Sequence, residues 1–231
     1  THISLDWFTG HHQTETFFKG IHAVKRGSFM HFASVGKLLS EQTYERINLA
    51  GNKENFNQAE VDFPKLLSHA CEIETRSDTK IGILLSGGID STTITVESIP
   101  YLLRNQDNIP LYTFYYEKMG SKDDFVAATE ITNDLNKQYD DGLELHAINM
   151  DQVVTSKDFI EATEARCAPV LDIRHITLLK LYKAVHEDDI KVILNGQGSD
   201  ELYYGYYPLD YWLSRFYRHG DFTTENIYAY Y

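Results

Sequence analysis

Five residues, Ile81-Gly82-Ile83-Leu84-Leu85, run straight into Ser86-Gly87-Gly88-Ile89-Asp90-Ser91. A short uninterrupted apolar run reads as a strand buried on both faces. A glycine pair at its end, with a helical pattern beyond, reads as a tight strand-to-helix turn. Such a turn brings backbone N–H groups of the helix N-terminus together around one point, which suits a phosphate. Ser86 and Ser91 can add hydroxyl donors, and Asp90 can hold a Mg2+ that neutralises phosphate charge. No Lys-Ser or Lys-Thr follows the glycines, so this is not a Walker A loop. The plain alternative is an ordinary strand-to-helix turn; the complete six-residue run behind an apolar strand favours the cradle.

The surrounding sequence alternates strand and helix patterns. Asp62, with Pro64 close behind, predicts a helix start. Phe63, Leu66, Leu67, Ala70 and Cys71 then share one helix face. The helix after the glycine turn is expected to stop at Pro100. Strands are predicted at Leu111 to Tyr116, Leu143 to Ile148 and Lys191 to Leu194. Asp123-Asp124 opens a helix with Ala128, Ile131 and Leu135 on one side. Two more helices precede the last strand, the second carrying Leu178, Tyr182 and Val185 together. This alternation predicts an α/β fold, a parallel sheet with helices on both faces. Ligands of such sheets sit beyond the carboxyl ends of the strands. A second glycine turn, Asn195-Gly196-Gln197-Gly198-Ser199-Asp200-Glu201, leaves the last strand. If its strand neighbours the first, both turns line one crevice, and Asp90 and Asp200 face a shared Mg2+.

The front of the chain has a different character. Up to about Asn48, glycines punctuate short runs such as Ile21-His22-Ala23-Val24 and Ser28 to Phe32, which predicts β-hairpin strands. Ala50 to Asn55 is polar and reads as a linker, dividing residues 1–50 from a domain at 55–231. The net charge is −13, which argues against a nucleic-acid partner. No run of ~18 apolar residues points to a membrane span, and no signal peptide is visible. Cys71 and Cys167 make no metal or disulfide pattern, so a cytoplasmic location is expected, with each cysteine a small apolar core residue. His2, His11, His12, His22 and His31 read as loop histidines. Asp140-Asp141 and Glu187-Asp188-Asp189 read as solvated turns. The tyrosines Tyr203-Tyr204-Gly205-Tyr206-Tyr207 and Tyr211-Trp212 read as packing or a subunit contact, as in a homodimer. A chain opening on Thr1 is expected to be an excerpt of a longer protein.

The residues of both turns carry a resemblance. Ser86 to Ser91 resembles the pyrophosphate loop of the PP-loop ATP pyrophosphatases, which cleave ATP between its α- and β-phosphates. Gly196 to Leu202, with Gly205-Tyr206 after it, is similar to the second signature of the asparagine synthetase branch. Ala168-Pro169, Asp172 and Tyr112-Thr113-Phe114 fit that branch, over residues 55–210. Phe17 to Ile21 and Lys25 to Phe29 resemble the end of the class II glutaminase domain that precedes it. The resemblance implies a PP-loop, or adenine nucleotide alpha hydrolase-like, fold. It implies a ligase that adenylates a carboxylate, releases pyrophosphate and forms a C–N bond, most simply making asparagine from aspartate. Ammonia would come from glutamine through a glutaminase domain of the same full-length chain. ATP would lie on Ser86, Gly87, Gly88, Asp90, Ser91 and Gly196, with Mg2+ on Asp90 and Asp200 and adenine walls from Leu84, Leu85 and Phe114. Gln197 stands where the asparagine synthetases carry Glu, a catalytic position. Glutamine can only hydrogen-bond there. A relative of the β-lactam synthetase or cyclase type, or a nucleotide-binding pseudoenzyme, is therefore the alternative. Tyr204 replaces a usual glycine. The family's catalytic lysine is expected beyond Tyr231, leaving the isolated fragment inactive.

Overall fold

The computed structural model describes residues 14–25, 27–44, 56–118, 123–151, 154–170 and 173–200. The chain divides into two compact units, one of them Asn55–Leu202. The other holds an antiparallel hairpin of β1 (Ser28–Phe32) and β2 (Leu38–Thr43), with Ser28 opposite Thr43. Its turn closes through Gly36, at φ +78°, whose N–H donates to Ala33 O at 2.8 Å. The predicted strand at Ile21 to Val24 is not one: it contributes a single bridge, Glu15 to His22. The linker, the first histidines, Asp172 and everything beyond Asp200 lie outside the described residues.

The larger unit runs α1 (Phe56–Glu74), β3 (Ile81–Leu84), α2 (Ile89–Leu102), β4 (Ile109–Tyr115), α3 (Asp123–Asn136), β5 (Leu143–Asn149), α4 (Ser156–Arg166), α5 (Arg174–Glu187) and β6 (Val192–Leu194). Its four strands are parallel in the order β5-β4-β3-β6. Alternate side chains serve opposite faces. Ile81, Ile83, Ile109 and Leu111 pack with Ile99 and Leu102 of α2 and with Ala128 and Leu135 of α3. Leu84, Tyr112, Phe114 and Ile193 pack on the other face with Leu181 and Val185 of α5. Gly82 makes room for that second layer. A Cβ there would sit 2.9 Å from Ile193 Cδ1 and 3.0 Å from Tyr112 Cε2.

Several boundaries differ from the sequence reading. Helix α1 starts at Phe56, so Asp62 and Pro64 lie inside it. Asp62 accepts a hydrogen bond from Gln58 Nε2 at 2.8 Å, an i, i+4 pair within the helix rather than a cap. The predicted apolar face is also rotated: Cys71 is buried but Leu66 is 68% exposed. The inward side instead carries Cys71, Thr75 and Ser68, whose hydroxyl meets Tyr101 Oη of α2 at 3.1 Å. Helix α2 continues through Pro100 to Leu102. A proline near the helix end forgoes only its own N–H bond, and Leu103 N–H still reaches Ile99 O at 3.0 Å.

Cys167 is exposed, not a core residue; it ends α4 in the left-handed region at φ 53°. Asp188 is more than a solvated turn residue. It accepts from Tyr112 Oη at 2.9 Å and lies 3.1 Å from His146 Nδ1. Burial first, then this bond, pushes the Tyr112 hydroxyl far up, so it stays a donor. Among the described residues no helix is long and apolar enough to cross a membrane.

Candidate active site

Because β6 lies beside β3, the two glycine turns leave neighbouring strand ends. They touch through backbone. A Cβ on Gly196 would stand 2.7 Å from Ser91 N and 2.8 Å from Asp90 C. Only glycine permits that approach. The crevice between strand ends, turns and α5 is a cleft of about 410 Å³.

The first turn supplies Ser86, Gly88, Asp90 and Ser91 to this cleft, and the second supplies Gly196, Gln197 and Asp200. Leu84, Leu85 and Phe114 form its apolar wall at the strand ends. Gly87 stands behind the surface: at φ +81°, its missing Cβ would be 2.4 Å from Ala127 Cβ, so the turn is seated on α3. All the other sequence-predicted site residues come together in the one cleft. Glu201, Leu202, Tyr204 and Gly205-Tyr206 lie outside the described residues.

Serine hydroxyls brace the first turn from within. Ser86 N–H donates to Ser91 Oγ at 3.2 Å, and the two hydroxyl oxygens are 3.0 Å apart. Gly88 N–H donates to Ser86 Oγ at 3.3 Å, and Ser91 Oγ donates to Gly88 O at 3.1 Å. Gly88 is the N-cap of α2 and brings no side chain, so no side-chain cap covers the first-turn N–H groups. The helix therefore presents donors and the positive end of its dipole to the cleft.

This arrangement fits a phosphate chain with a hard cation. The donors are neutral or dipolar, and Asp90 and Asp200 both line the cleft. Among the described residues no group of three or more His, Cys, Asp or Glu forms a protein-only cage. Two carboxylates on one cleft suit Mg2+, which takes one or two carboxylates and completes its shell with substrate phosphates and water.

Several lining residues carried no motif. Asp124, from the first turn of α3, lines the cleft on the β4 side. It follows the carboxyl end of a strand, so the rule that located the glycine turns could have found it. Asn195 and Thr113, named within sequence motifs but not as site residues, also line the cleft. Leu178, Leu181 and Tyr182 of α5 form the facing wall, for which no local signal exists.

The sequence model of the family described as Asparagine synthase matches residues 62–224. The chain is 26% identical over 209 residues to amidase chyE of Penicillium rubens, covering 84% of this chain and 30% of that protein. It is 30% identical over 146 residues to the glutamine-hydrolyzing asparagine synthetase of Mus musculus, covering 61% of this chain and 24% of that protein. Among solved structures, the NH3-dependent NAD synthetase of Campylobacter jejuni aligns at 17% identity and TM-score 0.40. That alignment covers 63% of this chain and 60% of that one. The chain thus spans 30% or less of the length of these curated relatives.

Proposed function

Since the chain belongs to the asparagine synthase family, we propose that its cleft activates a carboxylate with ATP for amide synthesis. A carboxylate oxygen of the acceptor attacks the α-phosphorus, and the bond to the β-phosphate oxygen breaks. Pyrophosphate leaves, and an acyl-adenylate remains. A nitrogen nucleophile then attacks the acyl carbon, AMP departs and the nitrogen's surplus proton passes to solvent.

The residues divide this work. The uncapped N–H groups of α2, with Ser86 and Ser91, hold the departing pyrophosphate, whose charge grows as the bond breaks. Mg2+, held by Asp90 and Asp200, would neutralise that charge. Leu84, Leu85 and Phe114 offer apolar surface to the base, and Leu178 and Tyr182 face them across the cleft. Gln197 hydrogen-bonds near the second step but takes up no proton at neutral pH. In its simplest form the reaction makes asparagine from aspartate, with ammonia from a glutaminase domain in the same full-length chain. Residues 1–50, with the β1–β2 hairpin, would be the tail of that domain, and residues 55–231 the synthetase part.

The observation that carries this reading is the backbone contact of Gly196 with Asp90 and Ser91, which makes one site of two motifs. A second reading keeps the adenylation and changes the acceptor. The match to the Penicillium amidase covers 84% of the chain, against 61% for the mouse asparagine synthetase. With Gln197, this favours an acceptor other than aspartate.

The test is ATP–pyrophosphate exchange by the full-length protein against a panel of carboxylates that includes aspartate. Exchange that depends on one acceptor, and is abolished in Asp90→Asn, is expected. Absence of both exchange and Mg·ATP binding refutes the adenylation reading. Binding without exchange points to a pseudoenzyme.

A further inference from the structure

Tyr116, the residue after β4, does not line the cleft, but its hydroxyl lies 2.6 Å from Thr177 Oγ1 of α5. Thr177 is buried, at 9% exposure. A threonine inside a helix can turn its hydroxyl back on its own backbone. Thr95, Thr129 and Thr132 do so, each donating at 2.7 Å to the carbonyl four residues earlier. The hydroxyl of Thr177 instead meets Tyr116 across the gap between α5 and the sheet.

The place of that bond gives it a use. Residues four apart share one helix face. Thr177, Leu181 and Val185 make the inward stripe of α5, and Leu181 and Val185 are buried in one core layer with Tyr112. The neighbouring stripe, Leu178 and Tyr182, lines the cleft. Phe114 lines it from the sheet, and its ring meets the Tyr116 ring edge-on, with centroids 6.1 Å apart. Tyr116 therefore touches one wall with its ring and reaches the other through Thr177, the chain neighbour of Leu178. Apolar packing is non-directional, so Leu181 and Val185 keep α5 on the sheet without fixing its height or rotation. A hydrogen bond carries a length and an angle. No side chain caps the start of α5, where Ile173 is the N-cap.

We propose that Tyr116 is a positioning residue: joined to Thr177, it sets the spacing between Phe114 and the Leu178–Tyr182 wall, and so the width that the cleft offers to a flat ring. The proposal rests on the ATP reading above, in which that ring is the base. The phosphates lie on the glycine turns and make no use of the spacing. Loss of the bond lets α5 shift, and a flat ring between two walls then loses close contact on one face. The effect falls on a ligand that carries the base and spares one that carries phosphates alone.

Calorimetry of the full-length protein with Mg·ATP and with Mg·triphosphate, which has the phosphates without the base, tests this alongside melting curves. The variants are Tyr116→Phe, Thr177→Val, the two combined, and Thr177→Ser. Phenylalanine and valine keep the shapes and remove the bond. Each is expected to weaken Mg·ATP binding about fivefold, as for one hydrogen bond, and to leave Mg·triphosphate within about twofold. The combined variant is expected to lose no more than either single one, because the two hydroxyls act as one unit. Thr177→Ser keeps a hydroxyl and is expected to bind Mg·ATP like the wild type. A bond that only supports the fold would lower the melting temperature and leave the ratio of the two affinities unchanged. Unchanged Mg·ATP affinity in both single variants, equal losses for the two probes, or losses that add in the combined variant overturn the proposal. So does a loss in Thr177→Ser as large as that in Thr177→Val. A wild type that binds Mg·ATP no more tightly than Mg·triphosphate refutes the proposal alone, whereas one that binds neither refutes the ATP reading beneath it.

Discussion

Replacing Gly196 with alanine tests whether the two glycine turns form one site. The new methyl would stand 2.7 Å from Ser91 N, 2.8 Å from Asp90 C and 2.9 Å from Asp90 Cβ. Carbon atoms in contact prefer about 3.5–4.0 Å, so one turn has to move by roughly half an ångström or more. The first turn of α2 is poorly placed to yield. Thr92 N–H is bonded to Gly88 O at 3.0 Å, and the buried Thr95 hydroxyl donates to Ser91 O at 2.7 Å. The displacement therefore falls on the second turn, which carries Asn195, Gln197 and Asp200. Overpacking of this kind costs about 1–3 kcal/mol, or roughly 3–10 °C in Tm for a domain of this size. A shift near 1 Å at a reacting centre costs about a hundredfold in rate, so exchange activity should fall further than stability. The measurement pairs thermal melting with ATP–pyrophosphate exchange of the full-length protein, using Gly88→Ala as the comparison for melting alone, since Gly88 itself lines the cleft. Gly88 has φ −68°, and its Cβ would meet only the Ser86 hydroxyl, at 3.3 Å. That substitution should cost about 1 kcal/mol or less, as Ala for Gly at an N-cap. If Gly196→Ala melts and exchanges like the wild type, the turns are not in contact and the one-site argument fails.

Two further outcomes follow from side-chain bonds to Asp188 and Asp158, neither of which lines the cleft. Tyr112→Phe keeps the ring over Gly82 but removes the donor to Asp188. A loss of about 1–2 kcal/mol is expected, seen as a lower urea midpoint at unchanged slope; no change would mean that the bond adds nothing. Asp158 accepts from the Thr155 hydroxyl at 2.6 Å and from its N–H at 2.7 Å. These bonds hold its carboxyl down to about 2, from 3.8. A depressed carboxylate stabilises the fold above its unfolded value, and that share is lost as pH falls through the folded one. Acid titration of wild type should thus show a loss between pH 3.8 and about 2 that Asp158→Asn lacks. Equal slopes in the two proteins would dismiss the Thr155–Asp158 bonds as its source.

The sheet was legible because its two central strands, β3 and β4, are largely buried and read as apolar runs between helical patterns. Ile81, Ile83, Ile109 and Leu111 on one side, with Leu84, Tyr112 and Phe114 on the other, leave little room for another reading. The pairing of β3 with β6 was legible only as a condition. Nothing in Val192-Ile193-Leu194 names its neighbour, and the choice is made by which helices cover which face. The start of α1 was misread because Asp62 and Pro64 have the chemistry of a helix entrance. In the folded chain Asp62 finds Gln58 one turn back, and Pro64 is carried by an exposed stretch of helix. Asp188 was read from its acidic neighbours alone. Its partners, Tyr112 and His146, come from two strands far away in sequence.

The same distinction separates chemistry from selectivity in the cleft. Groups proposed to handle phosphate sit on two turns whose local sequence dictates their geometry, because glycine is needed where backbones touch and where φ is positive. The wall facing them is built differently. Helix α5 is fixed to the sheet by Leu181 and Val185, which are buried. Leu178 and Tyr182, 38% and 40% exposed, line the cleft on the same helix without belonging to that core. A substitution at either alters the shape and polarity of the wall while the sheet packing and the glycine turns stay intact. On the proposed reading, a change at this wall can alter which ligand the cleft accepts while the glycine turns stay unchanged. It follows that the carboxylate panel, more than Gln197 alone, is what separates aspartate from another acceptor.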